Sequence, residues 1–528
     1  MSRPADLDWG AFHDDAPWVL EPGTIGWAQE AERKRQEAKA EVPGPITPRP
    51  LPPGFRGVST LARLAAALVP WAVRKRRGRV AGSASTAELS RRLRLAAESL
   101  GPTFIKLGQI ISSGEGLFPP ELVEEFKRCR DQVPAESFDD VRRTVEADLG
   151  RRLEDVFASF DREPIAAASI AQVHAACLHS GEEVVVKVQR PGVSRLVHTD
   201  LRAMAWLAPH LVGRIPVASL ANPPALVELF ADTIVEELDF RIEASNMLDV
   251  ARMLHDLDQT GYVVPRPHPR LVTRRVLVMQ RLDGFKFDDV AGMREAGVDT
   301  EGVVRTAMVA LMEGAMIEGI FHGDLHGGNL FVLPDGRTAL LDFGIVARLS
   351  EERRRAFLRL MIGATTNDLK GQMRALQELG ALPLDTDVVE VIRDLGLDKP
   401  PVDPTTLTGE QIVAEVQRVV KALLGYGARM PKELMLYVKN MVFIDGAIAR
   451  LAPDLDILGE IASISVRFAT RHGARLGADL GLQELPAVDL TSVKGGFGLD
   501  QDVERLTHRD LQARRALIQE RMRGTAPG

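Results

Sequence analysis

Two β-prone runs, AQVHAACL (171–178) and EEVVVKVQ (182–189), are separated only by His179-Ser180-Gly181. A linker that short makes them neighbouring strands of an antiparallel hairpin. The chain on either side reads mostly as helix. TAELSRRLRLAAESL has apolar residues at helical spacing, and PPELVEEFKRCRDQV opens on a proline pair suited to a helix start. Residues 224–256 give a long amphipathic pattern, VLVMQRL (276–282) a further strand, and helices dominate from about residue 286. The class is therefore α+β. With 528 residues the chain exceeds one ordinary core, so two or more lobes are expected.

The expected divisions are a flexible leader over 1–57, where acidic, basic and Pro-rich pieces such as EVPGPITPRPLPPGF alternate; a helical segment over 58–149; a sheet-bearing part over 150–285; a mostly helical part over 286–470; and a helical tail over 471–528. In the tail, DVERLTHRDLQARRALIQERMRG reads as a charged helix with a solvated or partner-docking face. No internal repeat is visible.

Composition narrows the function. There are 66 basic and 73 acidic residues, a net charge of −7, which argues against a general nucleic-acid binder. Cys129 and Cys177 cannot build a disulfide framework and fit a reducing compartment. The opening MSRPADLDWGAFHDD does not resemble a secretory signal. No apolar run approaches the ~18–20 residues that cross a bilayer. The nearest, LAAALVPWAV (64–73), contains Pro70 and runs into RKRRGR. It reads as a core helix with a solvated end, or as an interfacial segment drawn to anionic lipid. A cytoplasmic location is expected, with any membrane contact peripheral on the inner face.

The chemistry gathers around HGDLHGGNLFVLPDGRTALLDFG (322–344). Asp324 is placed to accept or steer a proton, and Asn329 and Asp342 offer the oxygen ligands that Mg²⁺ takes beside a phosphate. FVLPDGRTALL reads as two short strands around a Pro-Asp-Gly turn. Upstream, Lys187 lies in a valine-rich strand and alone would pass for an edge lysine facing water. In EELDFRIEASN, Glu236, Asp239 and Glu243 would share a helix face, a solvated acidic stripe unless Phe240, Ile242 and Met247 mark a helix that packs. Each fragment is weak. Their order is not: strand lysine, helix glutamate, strand, HxDxxxxN, hairpin and DFG form the protein-kinase set. No Gly-rich phosphate loop precedes Lys187. PIAAASIAQVH (164–174) stands there instead, and after DFG the chain turns straight into IVARLSEERRRAFLRLM, with no APE and no long activation segment.

With KLGQ (106–109), AAAS (166–169), Glu237-Leu238-Asp239, HGDLHGGN and DFG, the chain resembles the UbiB-type (AarF/ADCK-like) atypical protein-kinase-like family over roughly residues 90–460. FIDGAIARLAPDLDIL (443–458) is similar to a late segment of that family. The resemblance implies a bilobal kinase-like fold whose helical N-terminal extension lies over the active site, with Lys106 and Gln109 of KxGQ facing Glu237 and Asp239 of ExD. It implies that Ala166, Ala167, Ala168 and Ser169 cover the phosphates of ATP or ADP, that Glu243 positions Lys187 on them, and that Met279 belongs to the nucleotide site. Asp324 becomes the catalytic-loop acid, and Asn329 and Asp342 the Mg²⁺ ligands. Two departures stand out: Gly327-Gly328 where HPGN is usual, and Gln280 where an acid is frequent near the adenine-facing strand. The implied function is a Mg-dependent ATPase or atypical kinase in isoprenoid-quinone lipid metabolism, with a prenyl-lipid or quinone precursor as partner. A kinase for a protein or small molecule, and a non-catalytic nucleotide-sensing scaffold, are the alternatives.

Overall fold

The computed structural model describes residues 11–12, 18, 25–47, 54–78, 82–112, 120–129, 134–211, 223–399, 407–408, scattered positions between 411 and 425, and 426–483, 488–496, 499 and 502–524. The chain divides into two compact units. The first takes Met1–His255, Val263–Gly284 and Ala339–Ile345, and the second takes Asp256–Tyr262, Phe285–Thr338 and Val346–Gly528. The fold is α+β and protein-kinase-like. The helical extension expected as its own domain shares a unit with the sheet, and the DFG segment belongs to that same unit.

The first unit begins with helices α1 (Gly26–Glu41), α2 (Gly54–Arg76), α3 (Gly82–Leu100), α4 (Pro102–Ser112), α5 (Pro120–Lys127) and α6 (Phe138–Leu149). An antiparallel sheet follows: β1 (Phe157–Phe160), β2 (Ala166–Ala167), β3 (Ala171–Leu178), β4 (Glu183–Gln189), β5 (Pro267–Val272) and β6 (Val276–Gln280). The strand order is β1-β3-β4-β6-β5, with β2 added on β3. Period-two alternation sends Val184, Val186 and Val188 to one face, where they pack with Val141, Val145, Val276 and Val278. Burying each such valine contributes about 1.5–3 kcal/mol. Lys187 therefore points to the opposite face. β4 is an interior strand, so this lysine is 8% exposed and is not the water-facing edge residue its strand alone suggests.

Two expectations are corrected here. Residues 25–47 are not a loose leader. Helix α1 buries Trp27, Ala31 and Arg35 on one stripe, four residues apart, and Trp27 Nε1 donates to the Pro269 carbonyl at 3.1 Å. Ahead of it, Phe12 is 1% exposed and Trp18 Nε1 donates to the Pro267 carbonyl at 2.8 Å. Residues 1–10, 13–17, 19–24 and 48–53 of that leader lie outside the described residues. Nor is 224–256 one helix. After α7 (Val193–Leu211), helix α8 (Pro223–Ile234) gives way to a 3₁₀ turn (Glu236–Leu238), and α9 (Phe240–Asp256) starts afresh. The break has a local cause. Asp239 is extended (φ −135°, ψ 105°), its carboxylate accepts the Arg241 N–H at 3.1 Å, and Phe240 N–H turns away to the Arg274 carbonyl at 3.0 Å. Glu236, Asp239 and Glu243 consequently do not form one stripe.

In the second unit, β7 (Phe285–Lys286) is followed by α10 (Thr300–Glu313) and by β8 (Ile320–His322), β9 (Leu330–Val332) and β11 (Val346–Arg348), while β10 (Thr338–Leu340) starts in this unit and ends in the first. The Pro-Asp-Gly turn forms as expected. Leu333 N–H donates to the Arg337 carbonyl at 2.8 Å, and Gly336 takes φ 87°, which a side chain would disfavour. β8 pairs antiparallel with β11. Only residues 349–350 separate β11 from α11 (Glu351–Thr366), whose Ser350 caps it by accepting the Arg353 N–H. Helices α12 (Lys432–Leu451), α13 (Ile457–Leu480) and α14 (His508–Gly524) follow. The tail helix is docked: His508, 1% exposed, and Arg515 both reach Asp445 of α12.

Candidate active site

The first unit builds its site around Lys187. The ammonium meets Glu243 Oε1 at 2.6 Å and Asp342 Oδ2 at 3.2 Å. β4 supplies the lysine, α9 the glutamate, and the DFG segment the aspartate. Burial pulls the Lys187 ammonium down, but Asp342 and Glu243 outweigh it and hold its pKa above the ordinary range. Burial also pushes the Glu243 carboxyl up, to about 7, against the pull of Lys187. Asp342 differs, because its side chain is 43% exposed, and its Oδ1 accepts the Gly344 N–H at 2.9 Å. Helix α9 brackets the DFG backbone: Phe343 N–H reaches Glu243 Oε1 at 3.4 Å, and Asn246 Nδ2 donates to the Phe343 carbonyl at 2.8 Å.

The alanine loop belongs to this sheet. Ala166 pairs with Val173 and Ala167 with Gln172, and Ala168 N–H donates to the Ala171 carbonyl at 2.8 Å. No residue of this loop has positive φ, so alanine fits where a phosphate loop elsewhere needs glycine. Ser169 is buried. Arg190, 6% exposed, clamps the loop: Nε donates to the Ala168 carbonyl at 2.9 Å and Nη1 to Glu136 at 2.8 Å. Beside it, Gln172 Nε2 and His174 Nε2 lie 2.8 Å apart, and His174 Nδ1 meets the Asp161 carbonyl. Burial holds His174 below its usual pKa. Met279 of β6, 6% exposed, is paired with Val185 of β4.

KLGQ lies on α4. Lys106 pairs with Glu237 Oε1 at 3.1 Å, whereas Asp239 is taken by Arg241 at 2.6 Å. The ExD acids are thus divided between two cations by the break ahead of α9. Gly108 is required by packing, since a Cβ there would lie 2.5 Å from the Phe126 ring. Gln109 is half-buried, and its carbonyl accepts the Ser112 hydroxyl at 2.8 Å. Glu237 in turn packs against Gly344, where a Cβ would approach its Cγ to 3.3 Å. KxGQ, ExD and DFG are therefore contiguous within the first unit. The Lys106–Glu237 pair, with side chains 16% and 6% exposed, is expected to show a coupling of about 1–3 kcal/mol in a double-mutant unfolding cycle. Coupling below ~0.5 kcal/mol would mean the residues act independently.

The second unit carries the loop expected to be catalytic. Asp324 N–H donates to His322 Nδ1 at 3.1 Å, and Asn329 Nδ2 donates to the Asp324 carbonyl at 3.2 Å. His326 accepts the Gly328 N–H at 3.1 Å, closing the Gly-Gly turn. The Asp324 carboxylate receives Lys439 from α12. The next residue, Asn440, is fully buried. It donates to the His322 carbonyl and accepts the Leu325 N–H at 3.2 Å, so one amide pins the loop on both sides of Asp324.

A family model for the ABC1 atypical kinase-like domain matches residues 128–376. An uncharacterized protein of Mycobacterium tuberculosis is 36% identical over 383 residues, covering 71% of this chain and 78% of that one. An uncharacterized aarF domain-containing protein kinase of Arabidopsis thaliana, named as chloroplastic, is 34% identical over 396 residues, covering 69% and 72%. A probable protein kinase UbiB of Aeromonas hydrophila is 30% identical over 400 residues, covering 75% and 71%. This chain belongs to the ABC1 atypical kinase-like family. In this ABC1 protein, further residues contact the candidate site residues without being marked by any motif. Asn246 had a signal, because it lies three positions after Glu243 and so on the same helix face. Arg190, directly after β4, had a weaker one. Lys439 and Asn440 had none, since nothing local ties α12 to a loop 115 residues upstream.

Among the described residues no group of three or more His, Cys, Asp or Glu side chains forms a closed metal site. The donors that are present suit Mg²⁺ carried in by phosphates, which needs only one or two carboxylates and keeps its waters. The half-exposed Asp342 carboxylate and the Asn329 amide are donors of that kind.

Proposed function

We propose that this ABC1 protein is a Mg-dependent, ATP-binding atypical kinase or ATPase of the UbiB type. The observation that carries the reading is Lys187 held between Glu243 and Asp342. A cation buried in that geometry is preorganised for phosphate oxygens. Lys187 would hold the nucleotide phosphates under Ala166–Ser169, Asp342 and Asn329 would hold Mg²⁺, and Asp324 would act as the catalytic-loop acid, its charge balanced by Lys439. Bound Mg²⁺ would neutralise the phosphate oxygens. The acceptor we favour is a prenyl-lipid or quinone precursor rather than a protein, and the short passage from DFG into α11, with little room for a peptide platform, supports that choice. No helix of the described residues is long and apolar enough to cross a membrane. Peripheral contact is supported by α2, which exposes Leu61, Val69 and Val73 ahead of Arg74, Lys75 and Arg76.

The test is nucleotide-dependent melting. Mg–ATP is expected to raise the melting temperature of the wild type, and Asp342→Asn, which removes a charge beside a dication, is expected to lose most of that rise. An unchanged rise would remove Asp342 from the site. ATP turnover measured with and without quinone-precursor lipids then separates the lipid-linked enzyme from a kinase with another acceptor and from a non-catalytic scaffold.

Glu243 makes the site pH-sensitive. Its folded pKa, raised from 4.5 to about 7, favours the protonated form in the fold. Its contribution to stability is therefore full below pH 4.5 and lost as pH rises through about 7. Nucleotide affinity runs the other way, because only the carboxylate positions Lys187. Mg–ATP affinity is expected to weaken as pH falls from about 8 to about 6, beyond the change caused by ATP's own titration. Glu243→Gln should show only the latter, and matching pH slopes in the two proteins would clear Glu243.

A further inference from the structure

Helix α1 lies outside the matched family domain, yet its contacts run to the DFG turn. Arg35 is 5% exposed on a helix whose other surface is mostly charged. A guanidinium is costly to bury, so its partners indicate why it is there. Its Nη1 pairs with Glu32 on the same helix, while its Nη2 lies 3.9 Å from Asp249 of α9 and donates to Asn246 Oδ1 at 3.0 Å. Asn246, itself fully buried, donates from Nδ2 to the Phe343 carbonyl. Two hydrogen bonds therefore join the leader helix to the DFG backbone. A side-chain amide is polar at both ends, and a fixed donor on Oδ1 turns Nδ2 toward Phe343. Further contacts set α1 along the break ahead of α9: Glu30 pairs with Arg241 at 2.9 Å and Lys39 approaches Glu236 at 3.9 Å.

We infer that Arg35 is a positioning residue, and that α1 is a strap holding the DFG segment, and with it Asp342, in register with Lys187. The strap acts through Asn246. Glu243 takes the Phe343 N–H and Asn246 holds its carbonyl, so the two α9 side chains fix the peptide that follows Asp342. Removing Arg35 takes away one of the bonds that orient the amide and so loosens its hold on the DFG peptide beside Lys187. The inference builds on the nucleotide-site reading for its functional consequence, but its structural core concerns the protein without ligand.

Hydrogen exchange of the full-length, ligand-free chain tests it. In Arg35→Leu, which keeps an apolar contact and removes the donor, the amides of residues 342–346 are expected to exchange about tenfold faster, as for loss of one hydrogen-bonded tether. The amides of β3 and β4 should exchange as in wild type. Arg35→Lys, which keeps a donor, should restore most of the protection, and Asn246→Asp should resemble Arg35→Leu. Mg–ATP affinity should weaken in parallel with the exchange. Unchanged exchange at 342–346, or an equal increase throughout the first unit, overturns the strap. Should Arg35→Leu not fold, the comparison of Arg35→Lys with Arg35→Gln decides in the same way. A wild type that ignores Mg–ATP would defeat the nucleotide reading, while the exchange result would still settle the role of Arg35.

Discussion

Lys187→Met is expected to erase the melting-temperature rise produced by Mg–ATP and also to destabilise the protein by about 3 kcal/mol at alkaline pH. The second effect follows from Glu243, which is 3% exposed and would be left buried without its ammonium. The cost should shrink as pH falls, because without the pull of Lys187 that carboxyl takes a proton at a higher pH than in the wild type. Asp342, more exposed, adds less because water screens it. The double variant Lys187→Met, Glu243→Gln separates the two roles, since replacing both charges removes the buried-charge penalty. It should recover most of the stability while remaining blind to nucleotide. Urea unfolding at two pH values, together with nucleotide-dependent melting, makes the measurement. If Lys187→Met kept the full nucleotide shift, the ammonium would lie outside the binding site.

Asn440→Leu is expected to cost about 3 kcal/mol and to lower ATP turnover about a hundredfold. The stability loss comes from withdrawing the partner of the His322 carbonyl and the Leu325 N–H inside a core that includes Phe321 and Tyr437. Turnover falls because those two groups flank Asp324, and a catalytic group displaced by about 1 Å loses roughly two orders of magnitude. Nucleotide affinity should fall much less than turnover, because Lys187, Glu243 and Asp342 belong to the other unit. Asn440→Asp keeps the acceptor for Leu325 and loses the donor to His322, so it should fall between wild type and Asn440→Leu. A leucine variant with undiminished turnover would leave Asn440 a packing residue only.

Neighbouring residues are enough to specify the parts whose chemistry is local. The β3–β4 hairpin, the Pro-Asp-Gly turn and the short passage from DFG to α11 follow from strand periodicity, turn residues and a serine cap, all written within a few positions. The candidate residues Lys187, Glu243, Asp324, Asn329 and Asp342 are legible for a related reason: their order along the chain is itself the signature of the kinase set. Partner choice was decided only by the tertiary structure. Lys106 meets Glu237 and not Asp239, because a helix that reads as continuous breaks where Asp239 caps α9 and pairs with Arg241. The leader becomes a helix against the sheet because Trp27 and Arg35 find partners more than 200 residues away. Lys439 and Asn440 reach the catalytic loop from α12. Such contacts have no period and no neighbouring cue. A buried charge or amide must be satisfied, and which distant group satisfies it is fixed only once the chain has packed.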